Sequence, residues 1–229
     1  MADPREQPTC WTLIADAAAG NPADRSEFSL RYLDVVRAAF RARWRTAPLS
    51  GLVDDGVQEV FLECFRADGV LAKADPERPA GFRALLFGVV RNVALRAERQ
   101  WLRARAHHAP GSIDEQELAA REDGLSKVFD RAWASSLIRQ AGELMARRAR
   151  EGGGARERRV ELLRLRFQEG QPIRDIAARW GEKAQAVHET YRQARMEFRE
   201  CLREVVAFHS PGDGSAIDEE CRRLLEVLA

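Results

Sequence analysis

Residues 54–66, DDGVQEVFLECFR, and residues 82–93, FRALLFGVVRNV, decide the fold of this chain, because both have the apolar period of an amphipathic α-helix. In the first stretch the apolar residues recur every three or four positions: Val57, Val60, Phe61, Cys64 and Phe65. In the second stretch the matching stripe consists of Phe82, Leu85, Leu86, Val89, Val90 and Val93. The two stretches therefore predict a pair of helices that bury their apolar sides.

The polar faces of these two predicted helices carry opposite charge. The first helix shows Asp55, Glu59 and Glu63 away from its apolar stripe. The polar side of the second helix and its extension carries Arg83, Arg91, Asn92, Arg96, Arg99, Arg103 and Arg105. The formal charge of +1 hides this contrast, because residues 82–108 hold six arginines against one glutamate, whereas residues 112–123 hold five acids against one arginine. The local charge of each segment therefore indicates possible binding partners better than the net charge of the whole chain does.

Length and composition favour an all-α protein with two helical domains joined by an acidic linker. A chain of 229 residues can hold two domains with their own cores, since typical domains have about 100–150 residues. Charged residues make up 32% of the chain and aromatic residues only 7%, and the many Ala, Leu, Arg and Glu favour helix at exposed positions. We expect a first domain over residues 1–105 and a second over residues 125–210.

Proline, glycine and charge mark the boundaries between these parts. Residues 106–124 are predicted to be the linker, because Pro110 and Gly111 precede an acidic run that ends at Gly124. A long helix should follow from Leu125 to the glycines at 152–154. The tail, residues 211–229, is predicted to hold a short amphipathic helix, with Ser215 and Asp218 as a capping box at its start.

The second domain contains the pattern of a helix-turn-helix. A short helix has its apolar side formed by Ile173, Ile176, Ala177 and Trp180. Gly181 permits a sharp turn, and Val187 and Tyr191 anchor the helix that follows. The small Ala177 lets two helix backbones cross closely. The other side of the second helix exposes polar residues that suit the major groove or its phosphates: Lys183, Gln185, His188, Glu189, Arg192 and Arg195.

Three segments together resemble the extracytoplasmic-function, or group-four, sigma factors of bacterial RNA polymerase. Asp55-x-x-Gln58-Glu59-x-Phe61 and Phe82-Arg83-x-Leu85 with Arg91-Asn92 are similar to the second conserved region of that family. The segment from Leu165 to Gly181 is similar to its fourth region. The resemblance covers roughly residues 12–103 and 156–206. Gly56 departs from the family pattern, which commonly has leucine there, and this should weaken helix formation by about 1 kcal/mol.

This resemblance implies roles for the polar residues. The acidic helix would dock on the clamp of core RNA polymerase through Asp55, Gln58, Glu59 and Glu63. The basic helix and residues 67–81 would hold the melted minus-ten element through Arg83, Arg91, Asn92, Arg96 and Arg99. The helix-turn-helix would read the minus-thirty-five element of promoter DNA, and the acidic residues 112–124 would occupy the polymerase channel. An anti-sigma regulator is a further possible partner.

Other classes of function find less support in the sequence. No nucleophile, base and oxyanion set can be assembled, so we expect no enzyme and no cofactor. The four cysteines are widely spaced and lack zinc-ligand spacing, so reduced thiols and no metal site are expected. No apolar run is long enough to span a membrane, and the first ten residues lack the apolar core of a signal peptide, which predicts a cytoplasmic protein without a membrane partner.

Two alternatives stay open at this stage. The chain could be a helix-turn-helix DNA-binding regulator that has no partnership with polymerase. It could also be a helical partner-binding module, for instance a sequestering protein that uses the tail helix. Co-purification with core polymerase would separate the first reading from both alternatives.

Overall fold

The computed structural model describes residues 9–45, 49–76, 81–106, 115–210 and 212–228. Within these ranges the chain is helical without a strand, so the predicted all-α class is confirmed. The helices are α1 (Cys10–Ala18), α2 (Pro22–Arg43), α3 (Val53–Phe65), α4 (Gly81–Ala106), α5 (Glu115–Gly152), α6 (Gly154–Phe167), α7 (Ile173–Trp180), α8 (Ala184–His209) and α9 (Gly214–Leu228). A short 3-10 turn, Leu49–Leu52, precedes α3.

The chain divides into two compact units. The first contains residues 1–136, 208–210 and 224–229, and the second contains residues 137–207 and 211–223. The boundary therefore lies within α5, between Ser136 and Leu137, and not in the segment predicted to be a linker. Residues 115–124 of that segment are helical, so the long helix predicted to start at Leu125 begins at Glu115 instead, while residues 107–114 lie outside the described part.

The acidic segment is helical because its composition favours a helix. Glu115-Gln116-Glu117-Leu118-Ala119-Ala120 are nearly all strong helix formers, and acidic side chains near a helix amino terminus are stabilised by the helix dipole. Negative charge alone had indicated a solvated linker. The intrinsic helix propensity of these residues outweighs their negative charge here.

Aromatic side chains form the core of the first unit. Phe28 and Tyr32 of α2 pack on Phe82 of α4, with ring centroids 5.8 and 4.9 Å away. The Tyr32 ring also stacks on that of Trp133 from α5, at 5.8 Å, and His209 meets both of these rings edge-on. The predicted apolar stripes of α3 and α4 are buried or half-buried in the same unit.

Gly56 has a packing role in α3. A Cβ atom built at this position would lie 2.9 Å from the Trp44 ring and 3.2 Å from that of Phe40, both at the end of α2. Contacts this short are not tolerated against rigid rings. The absence of a side chain therefore permits α3 to approach α2 closely, which offsets the weak helix propensity of glycine.

A buried ion pair joins α2 to α4. Arg43 donates to both carboxylate oxygens of Glu98, at 2.7 and 2.8 Å, and the Trp44 Nε1–H donates to the same carboxylate at 3.0 Å. The Arg43 and Glu98 side chains are only 1% and 4% exposed. The buried carboxylate thus accepts three hydrogen bonds, two of them from a charged guanidinium. These bonds hold α4 against the end of α2.

The second unit contains a small core around α7. Leu162 and Leu165 of α6 pack with Ile176, Ala177 and Val187, and Ile173, Trp180 and Tyr191 pack around them. The helix order and the inward direction of Val187 follow the sequence pattern. Two ion pairs attach α8 to preceding helices: Arg159 binds Glu197 at 2.7 and 2.8 Å, and Arg148 binds Glu204 at 2.6 Å.

The last helix is capped two residues earlier than its sequence pattern indicated. Asp213, and not Ser215, caps α9, since its side chain accepts from the Ala216 N–H at 2.8 Å. Asp218, predicted to belong to a capping box, instead binds Arg203 of α8 at 2.7 and 2.8 Å. Across the residues that the structure describes, no helix combines the length and the apolar composition needed to cross a bilayer.

Candidate functional site

The outward face of α3 is acidic and carries one apolar residue. Asp55 and Gln58 are exposed, and Glu59 lies half-exposed beside them. Leu62, one turn further along the same face, is 57% exposed. An exposed leucine among carboxylates can provide the apolar anchor of a protein interface. Sequence analysis missed Leu62, although its position two turns after Asp55 places it on the polar face.

The other edge of α3 pairs with α4. Arg96 Nη2 lies 2.9 Å from a Glu63 oxygen and 3.3 Å from a Glu59 oxygen. The Glu63 side chain is only 15% exposed, so little of it is available to an external partner. Two residues expected to bind polymerase therefore contact a residue expected to bind DNA. The free acidic surface is smaller than predicted and centres on Asp55, Gln58 and Leu62.

A surface pocket of about 350 Å³ opens beside this ion pair. Its lining consists of Glu63, Val70, Val89, Asn92, Val93, Leu95, Arg96 and Arg99. Asn92, Arg96 and Arg99 share one face of α4 because they are spaced at four and three residues, and all three are exposed. The floor is apolar, since Val89, Val93 and Leu95 are buried.

The pocket has the chemistry that an unstacked nucleobase requires. Apolar walls accept the ring, an amide pairs with a base edge, and guanidinium groups stack on the ring or bind the adjoining phosphate. Three of the five α4 residues predicted to bind DNA line this pocket, namely Asn92, Arg96 and Arg99. Val70 and Leu95 were not foreseen, because the loop that supplies Val70 has no regular period. Residues 77–80 of that loop lie outside the described part.

Arg83 and Arg91 do not line this pocket. Arg83, in the first turn of α4, forms an ion pair with Asp130 of α5. Its place nine residues before Asn92 puts it on the opposite side of the helix. Arg91 also has a partner within the protein and lies half-buried. The two residues therefore have partners within the protein and do not extend the face formed by Asn92, Arg96 and Arg99.

The α7–α8 pair has a three-residue turn. Gly181 adopts the left-handed conformation, with φ 67° and ψ 28°, which a residue with a side chain rarely adopts. The Glu182 N–H donates to the Ala177 carbonyl at 3.0 Å and closes the end of α7. Lys183 belongs to the turn, and its carbonyl accepts the first hydrogen bond of α8, from Ala186 N–H at 3.0 Å.

The predicted reading face of α8 is exposed. This face comprises Gln185, His188, Glu189, Arg192 and Arg195, and Lys183 is exposed just before it. Glu189 accepts from both ends of the Arg192 guanidinium, at 2.7 and 3.0 Å. This interaction, followed by the hydrogen bond from Gln193, lowers the pKa of the Glu189 carboxyl below its ordinary value. Arg195 lies over the Tyr191 ring, 5.8 Å from its centroid.

The thiols of this protein are buried and weakly acidic. All four cysteines are free and buried. Burial raises the pKa of the Cys10 and Cys64 thiols to about 12, so both are neutral at physiological pH and poor nucleophiles or metal ligands. Among the residues with described side chains, no three potential ligands are grouped around a possible metal position.

Comparison of the chain with protein-family models, with curated proteins and with solved structures finds no match.

Proposed function

We propose that this protein is an alternative sigma factor of the extracytoplasmic-function type, which binds core RNA polymerase and directs promoter recognition and transcription initiation. The observation that carries the proposal is the pocket beside α4, where Asn92, Arg96 and Arg99 stand over an apolar floor. A cytoplasmic location and regulation by an anti-sigma partner belong to the same proposal. The protein supplies binding and orientation and catalyses no reaction itself.

The pocket suits the task of holding a melted promoter strand. A base removed from the duplex loses its stacking partners and exposes its Watson–Crick edge. The buried valines Val89 and Val93 offer an apolar surface, and the Asn92 amide can pair with the exposed edge. Arg99 adds positive charge for the sugar–phosphate backbone.

The acidic face of α3 suits a basic surface of polymerase. Asp55 and Gln58 point to solvent, and Leu62 gives the face an apolar centre. Charge steers the encounter of two proteins, while a desolvated apolar anchor slows their dissociation. Polymerase binding would thus depend on Asp55, Gln58 and Leu62, with Glu59 and Glu63 contributing mainly by holding Arg96.

The direct test is reconstitution with core RNA polymerase. The tagged full-length chain should retain core polymerase on a column, and the mixture should start transcripts at promoters selected from a random library. Core polymerase alone should start none of them. If circular dichroism shows that the chain is folded and it still does not bind polymerase, the proposed function is wrong.

Asn92→Ala is expected to leave polymerase binding unchanged and to impair promoter opening. An amide that pairs with a base edge is worth about 1–3 kcal/mol, so the amount of open complex should fall by about tenfold or more. Permanganate reactivity of unpaired thymines measures this opening. Gln100→Ala is the matched control, because Gln100 is an exposed amide on the same helix that does not line the pocket. Equal opening by both variants would contradict the role of the pocket.

Substitutions on α8 should separate base reading from phosphate binding. His188→Ala and Glu189→Ala are expected to change the preferred upstream bases in a promoter-library selection, because a base-edge contact discriminates by about 1–3 kcal/mol. Glu189→Ala should also raise overall DNA affinity, since it releases Arg192 from its ion pair. Arg195→Ala should weaken binding to all sequences alike and reduce the salt slope by about 0.9. An unaltered base preference in both reading variants would show that this face does not enter the groove.

A helix-turn-helix regulator without polymerase is the second candidate. It is favoured by one observation, namely that α6, α7 and α8 share a core of their own and that the polar face of α8 is exposed. Salt-dependent DNA binding by the full chain without any retention of core polymerase would support this candidate.

A further inference from the structure

One arginine of α6 holds both sides of the turn between α7 and α8. Arg158 Nη2 donates to Glu182 Oε1 at 2.6 Å, and the guanidinium carbon lies 4.1 Å from the centre of the Trp180 ring. Trp180 is the last residue of α7, and Glu182 is the second residue of the turn. The planar guanidinium therefore uses its face on one residue and its edge on the other, a combination that lysine cannot provide.

Two backbone hydrogen bonds close α7 at this turn. Gly181 N–H donates to the Ala178 carbonyl at 3.2 Å, and Glu182 N–H donates to the Ala177 carbonyl at 3.0 Å. The body of α8 is anchored on the core of the unit through Val187, so these bonds and Arg158 act on the turn before it. Arg159, next to Arg158, binds Glu197 near the middle of α8. Two adjacent arginines of α6 thus contact the turn before α8 and the middle of α8.

We infer that Arg158 is a positioning residue for base reading by α8, an inference that rests on the proposed function. Its contacts hold Trp180 and Glu182 on either side of Gly181, directly before the part of α8 that carries the exposed Gln185 and His188. The same ion pair offsets the charge of Glu182, an acidic residue in the turn before α8 that would lie near the DNA backbone if α8 entered the groove. Without Arg158 the helix start gains freedom, and the free carboxylate repels phosphate.

The experiment compares full-length variants in reconstituted polymerase holoenzyme. Arg158→Ala, Glu182→Gln and the double variant are measured on the promoter fragment that the wild type selects and on a scrambled fragment, over a range of salt. Arg164→Ala is the matched control, because Arg164 lies on the same helix, is also 42% exposed and pairs with Glu161 and Glu169, outside α7 and α8. Thermal unfolding reports any loss of stability.

We expect Arg158→Ala to reduce the preference for the selected fragment by about tenfold with an unchanged salt slope. Glu182→Gln should have a similar effect. The double variant should lose no more preference than the more affected single variant, because both substitutions remove the same contact between Arg158 and Glu182. Arg164→Ala should keep the wild-type preference.

Three results would overturn the inference while the proposed function stands. A salt slope lowered by about 0.9 in Arg158→Ala would make Arg158 a phosphate ligand. If Glu182→Gln bound DNA more tightly and kept the preference for the selected fragment, the only effect of Glu182 would be to repel phosphate. Wild-type preference in both variants with lower thermal stability would make the contact structural. A wild-type holoenzyme that selects no upstream sequence would remove the proposed function and this inference with it.

Discussion

Replacing Glu98 by alanine should lower the free energy of unfolding by about 3–5 kcal/mol, because Arg43 would remain buried without its partner. The loss includes the Trp44 Nε1–H, which would lose its acceptor in a buried site. Urea unfolding followed by circular dichroism measures the change. Since whole domains are stable by only about 5–15 kcal/mol, a loss of this size threatens the folded state.

Two control variants make this result specific. Glu143→Ala removes a largely exposed partner of Arg139, one turn away on α5, and should cost less than about 1 kcal/mol. Arg43→Met combined with Glu98→Leu should recover part of the stability, because no charge is then left buried. A cost below about 1 kcal/mol for Glu98→Ala would mean that the pair does not hold α4 against α2.

Asp55→Lys should weaken binding to core polymerase by about a hundredfold or more while the chain stays folded. Asp55 is exposed, and a lysine there would face a basic partner surface, where like charges cost several kcal/mol. Glu59 and Glu63 are poorer test positions, since reversing either would also disturb Arg96 at the pocket. Binding is measured by titrating labelled protein with core polymerase.

Asp24→Lys is the matched control for this substitution. Asp24 is the acidic residue in the first turn of α2, as Asp55 is in the first turn of α3, so both variants lose the same interaction with a helix amino terminus. Only Asp55→Lys should impair binding. If the two variants bound polymerase with equal affinity, the acidic face of α3 would not be the polymerase-binding surface.

Local features of the sequence predicted much of this structure. The apolar stripes of α3 and α4 obey a helical period, and the periodic positions are buried or half-buried. Gly181 was expected to turn the chain, and it adopts the left-handed conformation that explains its presence. Val187 and the exposed face of α8 also followed from spacing alone. In each case the pattern lies within one helix or within two helices that follow each other along the chain.

Features that depend on packing between helices could not be predicted. The pairing of Arg96 with Glu59 and Glu63 requires the crossing geometry of α3 and α4, which no spacing encodes. The same holds for Gly56, whose missing side chain makes sense only beside the Trp44 ring. The start of α5 was missed for a different reason, because charge was weighed above helix propensity.

The aromatic core of the first unit has a consequence for synthesis of the chain on the ribosome. Tyr32 is made early, yet its stacking partner Trp133 lies a hundred residues later, and His209, which meets both rings, later still. Domains generally fold as units, with the amino-terminal domain first during synthesis. Here the nascent α2 and α4 expose unfinished aromatic surface until most of the chain has left the exit tunnel. The first unit thus completes its folding late, and a holding chaperone would protect it during that interval.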